Sequence, residues 1–515
     1  MNELCFTKKI NILNGEYFWG GSTAQGIRMP LTDKSEYKWS CIKGCQGNGF
    51  NGVYLSNFGR YVYTDGEFSV EVSNGVLTLF SNSEIVFGVT NEGTLKSAHL
   101  FVMKKLFNKS EVSVPKNLLL YPQYCTWTEM LTNVTEEKII AYAESIANAN
   151  LPRCLFIIDD GWMNDFGDWE FNKEKFSNPK RMIKRLHELG FIVEMWLVPF
   201  VSENVPDIQL LIDNNALVRD KDGKPSLKAW WNGKSYVLDM TNPFTENWLT
   251  EKLNYLIKEY DVDGFKADGG DCDYYSYDDL TYAETTPAEQ CYLWSKFANK
   301  YEYSELRSVF RCGYTQVITR LSDKQRNWSY ECGIGALVPN MIQSGLIGYP
   351  FACADMIGGG VSSDFDKAGS ENFDFELISR FCECSTLMPC MQFSYAYWNR
   401  DEKIKKLFQT CTKTHMSISQ YLSELIDQSH NDFLPILRHL EYEFPHQNYE
   451  EVNYAFMLGS DYLVAPIVEK GKTTQTISLP KGYNWIYCPT GQSFSGGQTV
   501  TVDAPIGVLP YFKKG

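Results

Sequence analysis

Residues 262–271 read VDGFKADGGD, and this stretch decides the fold. It follows the helix-like TENWLTEKLNYLIKEYDVD and predicts a short buried strand from Gly264 to Asp268. That strand ends on a carboxylate, and Gly269 and Gly270 follow at once. A carboxylate at the C-terminal tip of a strand, after a helix and before a flexible loop, is how a parallel α/β barrel presents a reactive group. Side chains alternate along a strand, so Lys266 and Asp268 share one side and both point toward the barrel mouth.

Working outward, seven further segments read as strands. LLLYPQYCTW (118–127), LPRCLFIIDD (151–160) and FIVEMWLVPF (191–200) precede the stretch. SELRS (304–308), VITRLSD (317–323), GYPFACAD (348–355) and LMPCMQFS (387–394) follow it. Helical stretches separate them, the pattern of parallel βα units. Eight strands are what a (β/α)8 TIM barrel needs, and most of these end in polar, charged or aromatic residues. The barrel is expected over residues 117–430. Residues 1–116 alternate in short strands broken by Gly, Asn and Asp turns, which predicts an N-terminal β-sandwich. Alternation returns in residues 431–515, for a C-terminal β-sandwich domain.

A chain of 515 residues exceeds what one core accommodates, in keeping with this division. Aromatics make up 15% of it, which suits a sugar-binding cleft because ring faces stack on the C–H faces of pyranoses; an aromatic-rich core accounts for the figure equally well. A formal net charge of −15 disfavours nucleic acid and anionic membranes as partners and favours a neutral or cationic ligand. No apolar run approaches ~18 residues and the N-terminus lacks a signal-peptide pattern, so a cytoplasmic protein is expected. Fifteen cysteines, several in apparent core strands (Cys154, Cys353, Cys390), fit reduced buried thiols better than a disulfide framework. Cys41/Cys45 and Cys382/Cys384 lack zinc-type partners at useful spacing, and none of the six histidines sits at a strand tip. Neither a metal nor a cofactor is expected.

The second strand ends IIDDGW. Adjacent Asp159 and Asp160 point to opposite faces of a strand, so at most one aims into the mouth unless the chain bends there. Carboxylates bond sugar hydroxyls strongly and directionally; capping the following helix is the structural alternative. Trp127 closes the first strand, Trp196 lies in the third, and the loop before the Asp268 strand carries Trp230-Trp231-Asn232-Gly233. The sixth strand ends Arg320-Leu321-Ser322-Asp323-Lys324, with Trp328 five residues beyond Asp323. Glycoside hydrolysis requires two carboxyl groups flanking one glycosidic bond, and Asp268 and Asp323 are the pair on offer. Lys266 is expected to hold Asp268 ionised, whereas an acid at Asp323 must be protonated part of the time.

These motifs resemble glycoside hydrolase family 31, retaining α-glycosidases with an N-terminal β-sandwich, a (β/α)8 barrel and C-terminal β-domains. DGFKADGG falls at the family's nucleophile motif, which implies Asp268 as nucleophile. RLSDKQRNW falls where the family has Trp-x-Gly-Asp followed by Trp, which implies Asp323 as acid/base. LIGYPFACADMIGGG resembles the Gly-x-Pro…Asp-Ile-Gly-Gly block, with Asp355 at the seventh strand's tip. The resemblance further implies that Arg307 contacts sugar and acid/base, that Asp159 binds sugar hydroxyls and that Trp231 walls the pocket. Trp127, Asp160, Trp196, Lys266 and Trp328 complete the candidate substrate-binding set, with Ser394. That serine lies in Met391-Gln392-Phe393-Ser394, where the α-glucosidase members have Arg-Asn-His. Lys266-Ala267-Asp268-Gly269 likewise departs from their Asp-Met-Asn-Glu. Both departures resemble an α-galactosidase-like branch, and Lys-x-Asp with Asp-Asp-Gly-Trp resembles motifs of galactosidase families 27 and 36.

The expected protein is therefore a metal-free, retaining exo-α-glycosidase acting on a small oligosaccharide or glycoside, with α-galactosides preferred. An α-glucosidase or transglycosylase on the same scaffold is the alternative among enzymes, and a non-catalytic sugar-binding protein the alternative outside them. A homo-oligomer is compatible with all three.

Overall fold

The computed structural model describes residues 4–515 except 45, 46, 368 and 370, so Cys45 lies outside the described residues. Eight parallel strands close into a barrel: β1 Gln123–Cys125, β2 Leu155–Ile158, β3 Ile192–Leu197, β4 Gly264–Ala267, β5 Tyr303–Leu306, β6 Ile318–Arg320, β7 Ala352–Met356 and β8 Cys390–Phe393. Each overlaps one segment expected from the sequence. Most are shorter than the apolar runs that announced them, because those runs also supply turns that pack against the wall. The first run, for example, opens with a helical turn, Asn117–Leu120.

Local chemistry delivers the chain to β4. The helix Pro243–Tyr260 starts with the Asn242 side chain accepting from the Phe244 N–H and with proline in its first turn. It stops at Asp261, whose left-handed φ of 67° reverses the chain. Beyond β4, Gly270 has φ +73°, and a Cβ there would lie 2.3 Å from the Trp294 ring, so only glycine fits this turn. Because β2, β4 and β6 stop at Ile158, Ala267 and Arg320, the carboxylates Asp159, Asp160, Asp268 and Asp323 all emerge at one end of the barrel.

The N-terminal unit packs two sheets. One runs in the order Phe6–Asn11, Val76–Ser81, Phe68–Ser73, Tyr37–Ser40. The other contains Gly49–Ser56, Arg60–Thr64 and Val86–Val89, with Phe18–Ser22 also paired to Gly49–Ser56. Its outer strand, Val309–Phe310, comes from the loop after β5 and pairs in parallel with Gly49 and Phe50. That stitch brings Asn48 to the barrel mouth, where its side-chain oxygen accepts from the Ser322 N–H at 3.2 Å.

The C-terminal unit is a six-stranded sheet facing a two-stranded one, Thr474–Ser478 with Thr499–Asp503. Strict alternation of buried and exposed residues in that pair feeds a core of Leu463, Ile477, Trp485 and Phe512. Buried Arg380, in the barrel helix Phe375–Ser385, donates to the carbonyls of Lys472 and Ala504, both at 2.8 Å, and so ties this unit to the barrel. Cys154, Cys353 and Cys390 are buried free thiols. Among the described residues no helix is long and apolar enough to cross a membrane.

Candidate active site

A cavity of about 240 Å³ opens at the C-terminal end of the barrel. Trp127, Asp159, Asp160, Trp196, Trp231, Asn232, Lys266, Asp268, Arg307, Arg320, Asp323 and Ser362 line it. Its volume of about 240 Å³ falls below the ~300–1,000 Å³ of drug-sized ligand pockets, which suits a small ligand rather than an extended one.

Asp268 is held from three directions. The Trp196 indole N–H donates to Oδ2 at 2.9 Å, the Gly269 N–H donates to Oδ1 at 2.9 Å, and Arg307 Nε stands 3.0 Å from Oδ1. Burial pushes the Asp268 carboxyl up, but Arg307, then Lys266 and Arg320, outweigh it and hold its pKa down to about 2. Arg307 therefore leads in keeping Asp268 ionised, a part the sequence had suggested for Lys266. The same guanidinium reaches Asp323 Oδ2 at 3.9 Å and Asp271 Oδ2 at 3.7 Å. Its outer face lies 4.8 Å from the centre of the Trp231 ring, a cation–π contact at the rim. Trp231 sits at the turn between Lys228–Trp230 and Gly233–Val237, backed by Trp230 stacked on Phe200 at 4.1 Å.

Lys266 is spent on Asp159, with Nζ 2.6 Å from Oδ2 and both side chains buried. Burial works against the lysine charge, yet the Asp159 carboxylate outweighs it and holds the pKa above the ordinary lysine value. Asp159 and Asp160 both line the cavity, contrary to the alternation expected of a continuous strand. The reason is local: β2 stops at Ile158, the Asp159 N–H donates to Thr126 Oγ1, and Gly161 turns with φ +95°. Asp160 accepts from Asn232 Nδ2 at 2.8 Å, while burial pushes its carboxyl up to about 6.

Arg320 gathers three carboxylates. Its NH1 lies 2.8 Å from Asp323 Oδ1 and 2.7 Å from Asp355 Oδ1, and its Nε lies 3.1 Å from Glu305 Oε1. Asp355 takes a strained φ of +104° at the register shift in β7 and also accepts from the Lys324 N–H at 2.6 Å.

A family model described as Glycosyl hydrolases family 31 TIM-barrel domain matches residues 115–425, and one described as Glycosyl hydrolase family 31 C-terminal domain matches residues 433–515. The chain belongs to glycoside hydrolase family 31. It is 30% identical over 441 residues to the myogenesis-regulating glycosidase of Mus musculus, covering 82% of this chain and 60% of the relative. It is 26% identical over 377 residues to a sulfoquinovosidase of Escherichia coli, covering 68% of this chain and 54% of that one. The chain thus spans between about half and three-fifths of the length of these curated relatives. The solved glucose complex of a Flavobacterium johnsoniae family 31 dextranase superposes with a TM-score of 0.84 at 20% identity, covering 99% of this chain and 66% of that chain, and so shares the fold.

Within this family 31 barrel, nine of the candidate residues line one cavity: Trp127, Asp159, Asp160, Trp196, Trp231, Lys266, Asp268, Arg307 and Asp323. Three do not. Trp328 donates its indole N–H to Asp374 and lines a separate hollow with Tyr330 and Tyr454. Asp355 lies behind the wall as a buttress of Arg320 and of the Lys324 backbone. Ser394 lies just past the end of β8, and its hydroxyl accepts from the Thr128 N–H at 2.7 Å, which fixes the first loop rather than a ligand. Arg320, Asn232 and Ser362 line the cavity beyond the residues expected from the sequence, and Asn48 braces the Asp323 segment from the N-terminal unit. The signal for Arg320 in the sequence is a charge closing the run Val317-Ile318-Thr319.

Proposed function

We propose that this family 31 chain is a retaining, exo-acting α-glycosidase that removes a terminal α-linked hexose, with α-galactosides preferred. The observation that carries the reading is the pair of strand-tip carboxylates facing one guanidinium: Asp268 at 3.0 Å from Arg307 and Asp323 at 3.9 Å. Asp268, held ionised, attacks the anomeric carbon while Asp323 protonates the departing oxygen, giving a covalent glycosyl-enzyme. Asp323 then takes a proton from water, which displaces Asp268 from the same carbon. Two inversions leave the anomeric configuration retained. The small cavity supports cleavage at a chain end.

The sugar preference rests on the polar pairs beside these carboxylates. Lys266 and Asp159 present a donor and an acceptor side by side, able to meet one hydroxyl in both senses, and Asp160 with Asn232 offers a second polar pair. Each cation lining the cavity already has a carboxylate within 4 Å (Lys266 with Asp159, Arg307 with Asp268, Arg320 with Asp323), which suits a neutral sugar better than an anionic one. Epimers at C4 differ little in apolar area, so they are told apart by polar groups left unpaired, at about 1–3 kcal/mol each. Initial rates on 4-nitrophenyl α-glycosides test this: kcat/KM for the α-galactoside should exceed that for the α-glucoside by ~10-fold or more. Lys266→Met should collapse the ratio. A preference for the α-glucoside would overturn the galactoside assignment, and no turnover of any α-glycoside would overturn the enzyme reading.

A further inference from the structure

Glu305 is a buried carboxylate at the heart of the barrel, and the scheme above gives it no task. In β5 it stands in register with Lys266 of β4. Its Oε1 lies 3.1 Å from Arg320 Nε and 3.9 Å from Lys266 Nζ, and its Oε2 accepts from Gln392 Nε2 at 2.7 Å. With the contacts already described, this makes one continuous row of alternating charge: Asp159, Lys266, Glu305, Arg320, Asp323. Asp355 and Asp268 also act on Arg320, and Glu194 faces Glu305 with its own carboxyl pushed far up by burial and by that neighbouring charge.

We propose that Glu305 is a positioning residue: it fixes the plane of the Arg320 guanidinium and thereby aims Asp323 for proton transfer. A guanidinium is flat, with N–H groups at fixed angles, so clamping Nε determines where NH1 points. NH1 is the atom that holds Asp323, at 2.8 Å. Asp323 is the more exposed of the two strand-tip carboxyls, and Arg320 NH1 is the nearer of the two guanidinium contacts that orient it. Arg320 stands where the family pattern has tryptophan. A buried charge in place of an indole requires buried counterions, and Glu305 and Asp355 supply them from the two neighbouring strands.

The inference rests on Asp323 as acid/base, and the test separates the two. Rates are measured on the 4-nitrophenyl and the methyl α-glycoside of the preferred hexose, for the wild type, Glu305→Gln, Asp323→Ala and the double variant. A residue that acts through the acid should matter chiefly for the poor leaving group. Glu305→Gln should lower kcat/KM about 10- to 100-fold for the methyl glycoside and under about 3-fold for the nitrophenyl one. It should add less than about 3-fold to the loss in Asp323→Ala, because both changes strike one step. Glu305→Asp, which keeps the charge but shortens the reach, should show the same selectivity at smaller size, and it decides the matter if the glutamine variant does not fold. Uniform losses for both leaving groups, or losses that multiply in the double variant, overturn the positioning role. A uniform loss in Asp323→Ala itself would instead overturn the acid/base assignment.

Discussion

The tips of β4 and β6 present the same residue type in two different settings. Asp268 is 9% exposed at its side chain, clamped by an indole, a backbone N–H and a guanidinium, and held at a pKa of about 2. Asp323 is 27% exposed and is held by Arg320 NH1 at 2.8 Å, with Arg307 farther off at 3.9 Å. A nucleophile must stay ionised and fixed on one carbon; an acid/base must exchange protons with an aglycone oxygen and then with water. The buried, over-determined carboxylate suits the first task and the solvent-facing one the second. On the proposed mechanism, environment rather than residue type divides the labour.

The largest effect should come from breaking the β4 side. Asp268→Ala should lower turnover of every α-glycoside by about 10⁴-fold or more, since the covalent route is lost. Azide should restore part of the rate and give a glycosyl azide of β configuration, identifiable by NMR. Wild-type activity in this variant would end the assignment.

Breaking the β6 side should instead be selective. Asp323→Ala should cost about 10²–10⁴-fold on disaccharides, whose leaving oxygens need a proton, and far less in the first step on activated aryl glycosides. The basic limb of its kcat/KM profile should vanish. Equal losses across leaving groups would make Asp323 a binding residue and erase the contrast with Asp268.

The acidic limb sharpens the comparison from another direction. Asp268 stays ionised down to about pH 2, so it cannot set that limb in the ordinary range. Asp160 can: burial pushes it up to about 6, so below that pH it carries a proton and no longer accepts fully from a sugar hydroxyl. Activity should fall by up to about tenfold per pH unit below 6, as for loss of one ionised group. Asp160→Asn should flatten the limb while lowering the plateau. Asp271 and Asp355, also raised to about 6 by burial, would be the sources to test next if the limb survives unchanged in Asp160→Asn.

How much of this was legible follows the physics of each element. Parallel barrel strands are buried on both faces, so they read as apolar runs, and a charge closing such a run, as at Asp159, Asp268 or Asp323, stands out. What stayed hidden depends on neighbours remote in sequence. Glu305 and Arg320 pair only because β5 and β6 lie side by side. Asp355 closes GYPFACAD as a strand tip would, and nothing in that run announces the register shift that turns it away from the cavity. Asn48 reaches the mouth through a strand pairing between the N-terminal unit and the loop after β5, which no local pattern encodes.

The smallest expected effect lies at the rim, on the cation that the two carboxylates share. Trp231 is 42% exposed and lays its ring against Arg307 at 4.8 Å. Exposed contacts of this kind contribute about 0.5–1 kcal/mol, a factor of about two to five in binding. Trp231→Ala should therefore raise KM by about that factor through lost stacking on the sugar and a looser guanidinium, with kcat changed less than twofold. Because Arg307 is also held by Asp268 and Asp271, its charge stays in place and the acidic limb should not move. A large fall in kcat would mean that the ring, rather than the buried carboxylates, fixes the guanidinium. The contrast between the two strand tips would then depend on a surface residue instead of on the barrel that carries them.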